Sequence, residues 1–289
     1  NQLYLLKESI SQEMHIDHLK DNKDLQVNID ISLHHYPCGL LSLDKIDIFD
    51  SHTKNVKENL SMTRLSANDS ELEAYSHNAS LTIDQRLEVI KDQLHNKEGC
   101  RLRGNMDIKM INGDFHISFH DFLFEKQILE MQDGYVPDFS HTINHLYFGK
   151  NGESEMKRGM REFQIETFES LKDHSELNLP RRINVHHGLL YQINVVPTKL
   201  LYSSDENVDL YQYSSSILPV AGPYYQINFT LRIENVSMFY SKKSPMYSHF
   251  FIQCMTILGG TYMILSVFKG FIEDGVLNVI YMRRIGKLE

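Results

Sequence analysis

Phe250 to Phe268 reads FFIQCMTILGGTYMILSVF, 19 residues without a formal charge. As an α-helix rising about 1.5 Å per residue, the run extends roughly 28 Å, close to the hydrocarbon thickness of a bilayer. A buried core helix is the alternative, since Gln253, Thr256, Thr261 and Ser266 keep the run only moderately apolar. Two features favour the membrane. Gly259 and Gly260 suit a membrane span better than a soluble helix. Lys269 closes the run, and Arg283, Arg284 and Lys287 follow it. The sequence therefore predicts a transmembrane helix over 248–268, a tail over 269–289 and a large domain over 1–247.

Orientation follows from the flanks. Four basic residues lie downstream, against Lys242 and Lys243 upstream, so the positive-inside rule leans towards a cytosolic tail. The N-x-S/T sequons at Asn59, Asn68, Asn78, Asn228 and Asn235 all precede the span. A chain this rich in Asn and Ser shows about two or three by chance, so each one is weak alone. Together with the charges they predict a lumenal or external domain 1–247.

That domain has a globular composition. Of 289 residues, 42% are hydrophobic and 23% charged, which excludes a disordered or collagen-like chain. Lys plus Arg total 29 against 38 Asp plus Glu, a net charge of -9, which argues against nucleic acid as a partner. Its patterning is that of strands. Leu25 to Leu33 alternates apolar and polar without exception, and Leu102, Met106, Ile108 and Met110 alternate with Arg103, Asn105, Asp107 and Lys109. Phe115, Ile117 and Phe119 follow a turn at Asn112-Gly113; Tyr191, Ile193 and Val195 form another segment, and Tyr225 to Ile233 the longest. A period of two gives one buried and one wet face, predicting a mainly β, antiparallel, sandwich-like domain.

Two stretches depart from this period. Ile83, Leu87, Ile90 and Leu94 have helical spacing, Thr82 and Gln85 make a capping-box pair, and Gly99 stands where a C-terminal cap is expected. Residues 51–97 thus read as a surface excursion followed by a helix. Residues 150–188 read as a charged insertion, with Met156, Met160, Phe163 and Leu171 a helical stripe or part of a loop.

Catalytic and cofactor signatures are lacking. The sequence holds no P-loop, H-E-x-x-H, EF-hand loop, G-x-S-x-G or C-x-x-C. His141 and His145 have the spacing of helical metal ligands, but SHTINHLYFG lacks helical flanks and a third ligand, so loop residues are the expectation. His116 and His120 on one strand face stand about 13 Å apart, too far to share a metal. The expectation is therefore no enzyme, no cofactor and no metal. Fifteen histidines, all but His249 in the domain, still give it scope for charge change near pH 6.5. Cys38 and Cys100 precede the span and Cys254 lies in it. In an oxidising lumen the first two are expected to pair, the alternative being two buried thiols.

Six segments assemble in order: PCGLLSLDKIDIFD at 37–50, EGCRLRGNMDIKMINGDFHIS at 98–118, FSHTINHLYFG at 139–149, YQINVVPT at 191–198, YQYS at 211–214 and the Ser-Pro-then-span ending at 244–268. They resemble the endoplasmic reticulum–Golgi intermediate compartment family, the Erv proteins of COPII-coated vesicles, over nearly the whole chain. The resemblance implies two spans around a β-rich lumenal domain, the first span expected upstream of Asn1. It implies a cargo receptor cycling between endoplasmic reticulum and Golgi, binding lumenal proteins in a pH-dependent way, hetero-oligomeric with a paralogous family member, and recognised by vesicle coat proteins. It also implies a structural disulfide between Cys38 and Cys100, and makes His116, His141 and His145 candidates for a pH switch. Against the family pattern, the cysteine-rich loop of one branch is missing between the two Cys motifs. Of a dilysine coat signal only Lys287 is in place in the ending Gly286-Lys287-Leu288-Glu289. Two further classes remain: a structural subunit of a membrane complex, and a non-catalytic part of a disulfide-isomerase fusion.

Overall fold

The computed structural model describes residues 9–16, 24–46, 52–53, 56, 59–76, 81–110, 113–119, 138–165, 187–202, 206–221, 226–243 and 247–286. The chain divides into two units, one spanning Ser11–Ser241 and one that holds the C-terminal helix.

The first unit is a two-sheet sandwich. One sheet runs, in spatial order, β1 (Ser9–Ile16), β13 (Val236–Lys243), β10 (His187–Leu201), β12 (Gln226–Ile233), β8 (Gly113–Phe119), β3 (Leu41–Ile46) and β4 (His52–Thr53), and β11 (Asn207–Ala221) also pairs with β10. The other runs β6 (Glu71–Tyr75), β5 (Leu60–Leu65), β7 (Gly99–Lys109), β2 (Asp24–Leu33) and β9 (His141–Phe148), antiparallel throughout. The period-two segments supply its interior. Leu25, Val27, Ile29, Ile31 and Leu33 of β2 are buried, as are Leu102 and Met106 of β7. From the first sheet, Phe115, Ile117, Tyr191, Ile193, Val195, Ile227, Phe229 and Leu231 join them in one cluster. Each such side chain contributes about 1.5–3 kcal/mol by leaving water. Phe115, Phe229 and Tyr191 stack across three neighbouring strands, with ring centroids 4.6 and 4.8 Å apart.

Most pairings are antiparallel, but β10 runs parallel to β12 over Leu189–Val195 and parallel to β13 over Thr198–Leu201. Its other edge is antiparallel to β11 along its whole length. Pro197 sits where the parallel partner changes, so the donor that proline lacks is missing at a break in the ladder.

The predicted helix is α1 (Ile83–His95), capped by the reciprocal Thr82–Gln85 pair and burying Leu87 and Ile90. Its end differs from the sequence expectation. Asn96 is the cap and Lys97 takes the left-handed conformation at φ 52°. Gly99 instead begins β7, where a Cβ would stand 2.3 Å from the Leu33 carbonyl oxygen. Part of the supposed surface excursion also joins the sandwich, because β5 and β6 form a hairpin on the edge of β7 and bury Leu65. Within 150–188, α2 (Glu153–Phe163) buries Met156 and Phe163 and stops at Gln164, which is left-handed. Leu171 and the rest of that stretch up to 186 lie outside the described residues.

The C-terminal helix α3 (Tyr247–Gly270) is about 36 Å long at 1.5 Å per residue. A π-helical segment, Phe271–Leu277, carries it on into α4 (Asn278–Arg284). Thus the helix does not stop at the predicted 268. Phe250–Arg284 meets the length and apolarity criteria for a membrane span, with a mean hydropathy of 1.6. Lys269 and Glu273, 3.8 Å apart, mark where its uncharged part ends.

Candidate functional site

Cys38 opens the short turn leading into β3, and Cys100 lies in β7 of the opposite sheet. They form a disulfide with Cα atoms 4.9 Å apart across a sequence separation of 62. A crosslink closing a loop of that size contributes about 4 kcal/mol in the chain-entropy account. Arg64 grips Glu98 beside it with two hydrogen bonds of 2.8 and 2.7 Å.

The candidate histidines separate into three environments. His141 is 4% exposed at the start of β9. Its Nδ1 lies 2.7 Å from the Phe139 carbonyl oxygen and its Nε2 2.6 Å from the Tyr191 hydroxyl. A carbonyl only accepts, so Nδ1 carries the proton and Tyr191 donates to Nε2. Burial pushes the imidazole down to about 4, against the Phe139 hydrogen bond, and His34 adds to the lowering. Burial likewise raises the Tyr191 hydroxyl above its ordinary range, keeping it a donor. His141 therefore stays neutral between pH 6 and 7 and works as a buried anchor between the sheets.

His145 is half-buried on β9, in register with Asp30 of β2. Asp30 is 3% exposed and is held by Nε and Nη2 of the Arg101 guanidinium at 2.8 and 2.7 Å and by the Asn144 amide at 3.0 Å. Burial raises its pKa, but the Arg101 and Asn144 hydrogen bonds and the Arg101 and Arg103 charges outweigh it, so the carboxyl ends below the usual carboxylate range. Arg101 also reaches Glu71 of β6, linking four strands of this sheet.

His116 lies in a different cluster. It is in register with Asp44 of β3 on one side and with Asn228 of β12 on the other. Its Nε2 is 3.6 Å from Asp44 Oδ2, and His52 Nε2 on β4 is 3.4 Å from the same oxygen. Asp44 is fully buried, and Ser42 donates a hydrogen bond of 2.7 Å to its Oδ1. Sequence reasoning missed Asp44 and His52, and it also missed His34. His34 Nδ1 lies 2.6 Å from Asp69 Oδ1, and its Nε2 lies 2.8 Å from Thr142 Oγ1. Strand spacing could have flagged Asp44 beside Ser42 on the polar face of β3; nothing local could have brought His52 back over it.

Of the sequons, Asn59, Asn68 and Asn235 are exposed and Asn228 is half-buried. Asn78 and Lys287 lie outside the described residues.

A family described as endoplasmic reticulum vesicle transporter matches residues 73–268, and one described as endoplasmic reticulum–Golgi intermediate compartment matches residues 2–54. Protein disulfide-isomerase 5-4 of Arabidopsis thaliana is 23% identical over 62% of this chain and 37% of its own length. The ER-derived vesicles protein ERV46 of Saccharomyces cerevisiae is 28% identical over 46% of this chain and 34% of its own. The chain thus spans little more than a third of either relative. The crystal structure of Erv41p overlays with a TM-score of 0.49 at 18% identity, over 80% of this chain and 100% of that one. Since the first match takes in strands, helices and the apolar helix together, the chain belongs to the endoplasmic reticulum vesicle transporter family.

Proposed function

We propose that the chain is a membrane cargo receptor subunit that cycles between endoplasmic reticulum and Golgi and binds lumenal proteins in a pH-dependent way. The observation carrying this reading is that the family match over 73–268 takes in both sandwich strands and the membrane-length helix. A folded domain that buries its own core and is joined to a membrane helix suits capture of soluble proteins for packaging into vesicles. Similarity to ERV46 supports a paralogous family member as partner, and coat proteins are the proposed readers of the tail. Imidazoles titrating near pH 6.5 supply the chemistry of pH dependence. His145 is the first to substitute, with Asp30 opposite it and Arg101, Arg103 and Asn144 around that carboxylate.

The test is purification of the full-length protein in mild detergent at about pH 7.2 and about pH 6.0, straddling the imidazole range, with co-purifying proteins identified by mass spectrometry. A paralogue at both values, with soluble lumenal proteins at only one, supports the reading. An unrelated membrane complex, unchanged by pH, overturns it in favour of a structural subunit.

A second reading, a non-catalytic part of a disulfide-isomerase fusion, is favoured by the Arabidopsis relative. Cys38 and Cys100 are already paired to each other, so they offer no reduced dithiol. A protein carrying an additional C-x-x-C on the same chain in cells distinguishes this reading.

A further inference from the structure

We propose that Asp44, His52 and His116 form a zinc-binding site that clips the edge strand β4 to the sheet. The inference stands on the geometry of these three side chains and is independent of the cargo reading. One ligand atom from each lies within 4.8 Å of the other two. Asp44 Oδ2 is 3.4 Å from His52 Nε2 and 3.6 Å from His116 Nε2, and the two rings stand 5.7 Å apart. Zinc bonds nitrogen and oxygen at about 2.0–2.2 Å, so adjacent ligand atoms of a tetrahedral site lie about 3.3–3.6 Å apart. The two distances to the carboxylate are therefore already those of a formed site. The ligand atoms of the two histidines, within 4.8 Å of each other, close around the ion by approaching at most about 1.5 Å.

The chemistry of the donors selects the metal. Two imidazoles and one carboxylate suit zinc, whereas calcium and magnesium call for a shell of oxygens. Burial distinguishes this cluster from an ordinary acidic patch. Asp44 is fully buried and His116 is 6% exposed, while the His52 side chain, 30% exposed, stands at the mouth. A dication offsets the buried carboxylate charge in a setting where water cannot. Ser42 supplies the outer hydrogen bond that metal-binding carboxylates need, fixing Oδ1 and turning Oδ2 towards both rings.

Topology also favours a clip. Asp44 and His116 are register partners on β3 and β8, which pair along the whole of β3. His52 comes from a strand of two residues, His52–Thr53, which pairs with Lys45 and Ile46. Two backbone pairs hold a strand weakly, and an ion bound by all three side chains ties it to β8. Three protein ligands leave a fourth position for water or an incoming donor.

The full-length protein, purified in mild detergent without a histidine tag and stripped by a chelator, is titrated with Zn2+ against a chromophoric indicator at neutral pH. It is titrated separately with Co2+ by visible absorption. One tight equivalent of zinc and an intense tetrahedral cobalt band are expected from the wild type. His52→Gln, at the exposed edge, and Asp44→Asn, of unchanged shape, each weaken that equivalent by at least about 100-fold. Absence of a tight equivalent from the wild type overturns the proposal. So does its retention in both variants, which assigns the zinc to other histidines. The two variants are read independently, so one that fails to fold leaves the other to assign the equivalent, and the lack of a tight wild-type equivalent overturns the proposal with no variant at all.

Discussion

His141 shows how a single buried side chain makes this domain sensitive to acid without being a switch. In the unfolded chain its imidazole titrates near pH 6.5, whereas burial in the sandwich pushes it down to about 4. Between those values the unfolded chain binds a proton that the folded one refuses, so stability falls as the pH drops. The loss begins near pH 6.5 and amounts to about 1.4 kcal/mol by about pH 5.5. We predict that His141→Gln lowers stability outright but flattens its decline between about pH 7.5 and pH 5.5 by that amount, measured by denaturant unfolding of the full-length protein. A decline as steep as in the wild type would sink the assignment. Asp30 has the opposite sign and a different window. Its folded pKa lies below the unfolded one, so its contribution is complete above the ordinary carboxylate range and is lost only as the pH falls through the folded value. At pH 6 the Arg101 network is therefore intact.

Strand β7 carries a constraint that ties two parts of the second sheet together. Gly104 sits in it at φ 148°, and a Cβ there would stand 2.0 Å from the Asn59 carbonyl oxygen. That oxygen accepts the Asn105 amide, and Asn59 itself is left-handed at φ 56°. A side chain at 104 must push the start of β5 away. Gly104→Ala is expected to cost about 2 kcal/mol or more and to speed hydrogen exchange across Leu60–Tyr75, while β2 and β9 remain protected. Uniform acceleration would mean that the hairpin is not a separable edge. This coupling was illegible in the sequence, where Gly104 merely interrupts an alternating run. The alternation itself was legible and placed β2, β7, β8, β10 and β12, because each has one face in the core. It could not give strand direction. β10 alternates well, yet it lies parallel to β12 and β13, since period two reports which face is buried and not which way the neighbour runs. The β5–β6 hairpin read as a surface excursion because its strands are short and bury only one side chain deeply, Leu65. The Asp44–His52–His116 cluster was hidden for another reason. Its members come together only when β4 folds back on β3 and β8 pairs with the same strand.

The sandwich and the apolar helix acquire a common direction once the helix enters a bilayer, and the sequons make that direction measurable. Asn59, Asn68 and Asn235 are exposed, Asn228 is half-buried, and all precede Phe250–Arg284. Asn235 sits in the exposed turn between β12 and β13, where a transferase meets little obstruction. Asn228 is less accessible, lying mid-strand between His116 and Leu190. If the sandwich faces the lumen, translation into microsomes attaches glycans upstream of the helix, most readily at Asn235 and Asn68. A sequon placed in a long polar extension appended after Glu289, clear of the bilayer, then remains bare. Mobility shifts reversed by a glycosidase, counted in single Asn→Gln variants, read the result directly. The basic residues Arg283 and Arg284 at the end of α4 favour this orientation by the positive-inside rule, though Lys242 and Lys243 on the other side oppose it. Glycan on the downstream sequon with none upstream would invert the molecule. The cysteines would then sit in a reducing compartment, where the Cys38–Cys100 bridge does not persist. The receptor reading requires the bridge and the upstream glycans to appear on the same molecules, because one oxidising lumen supplies both.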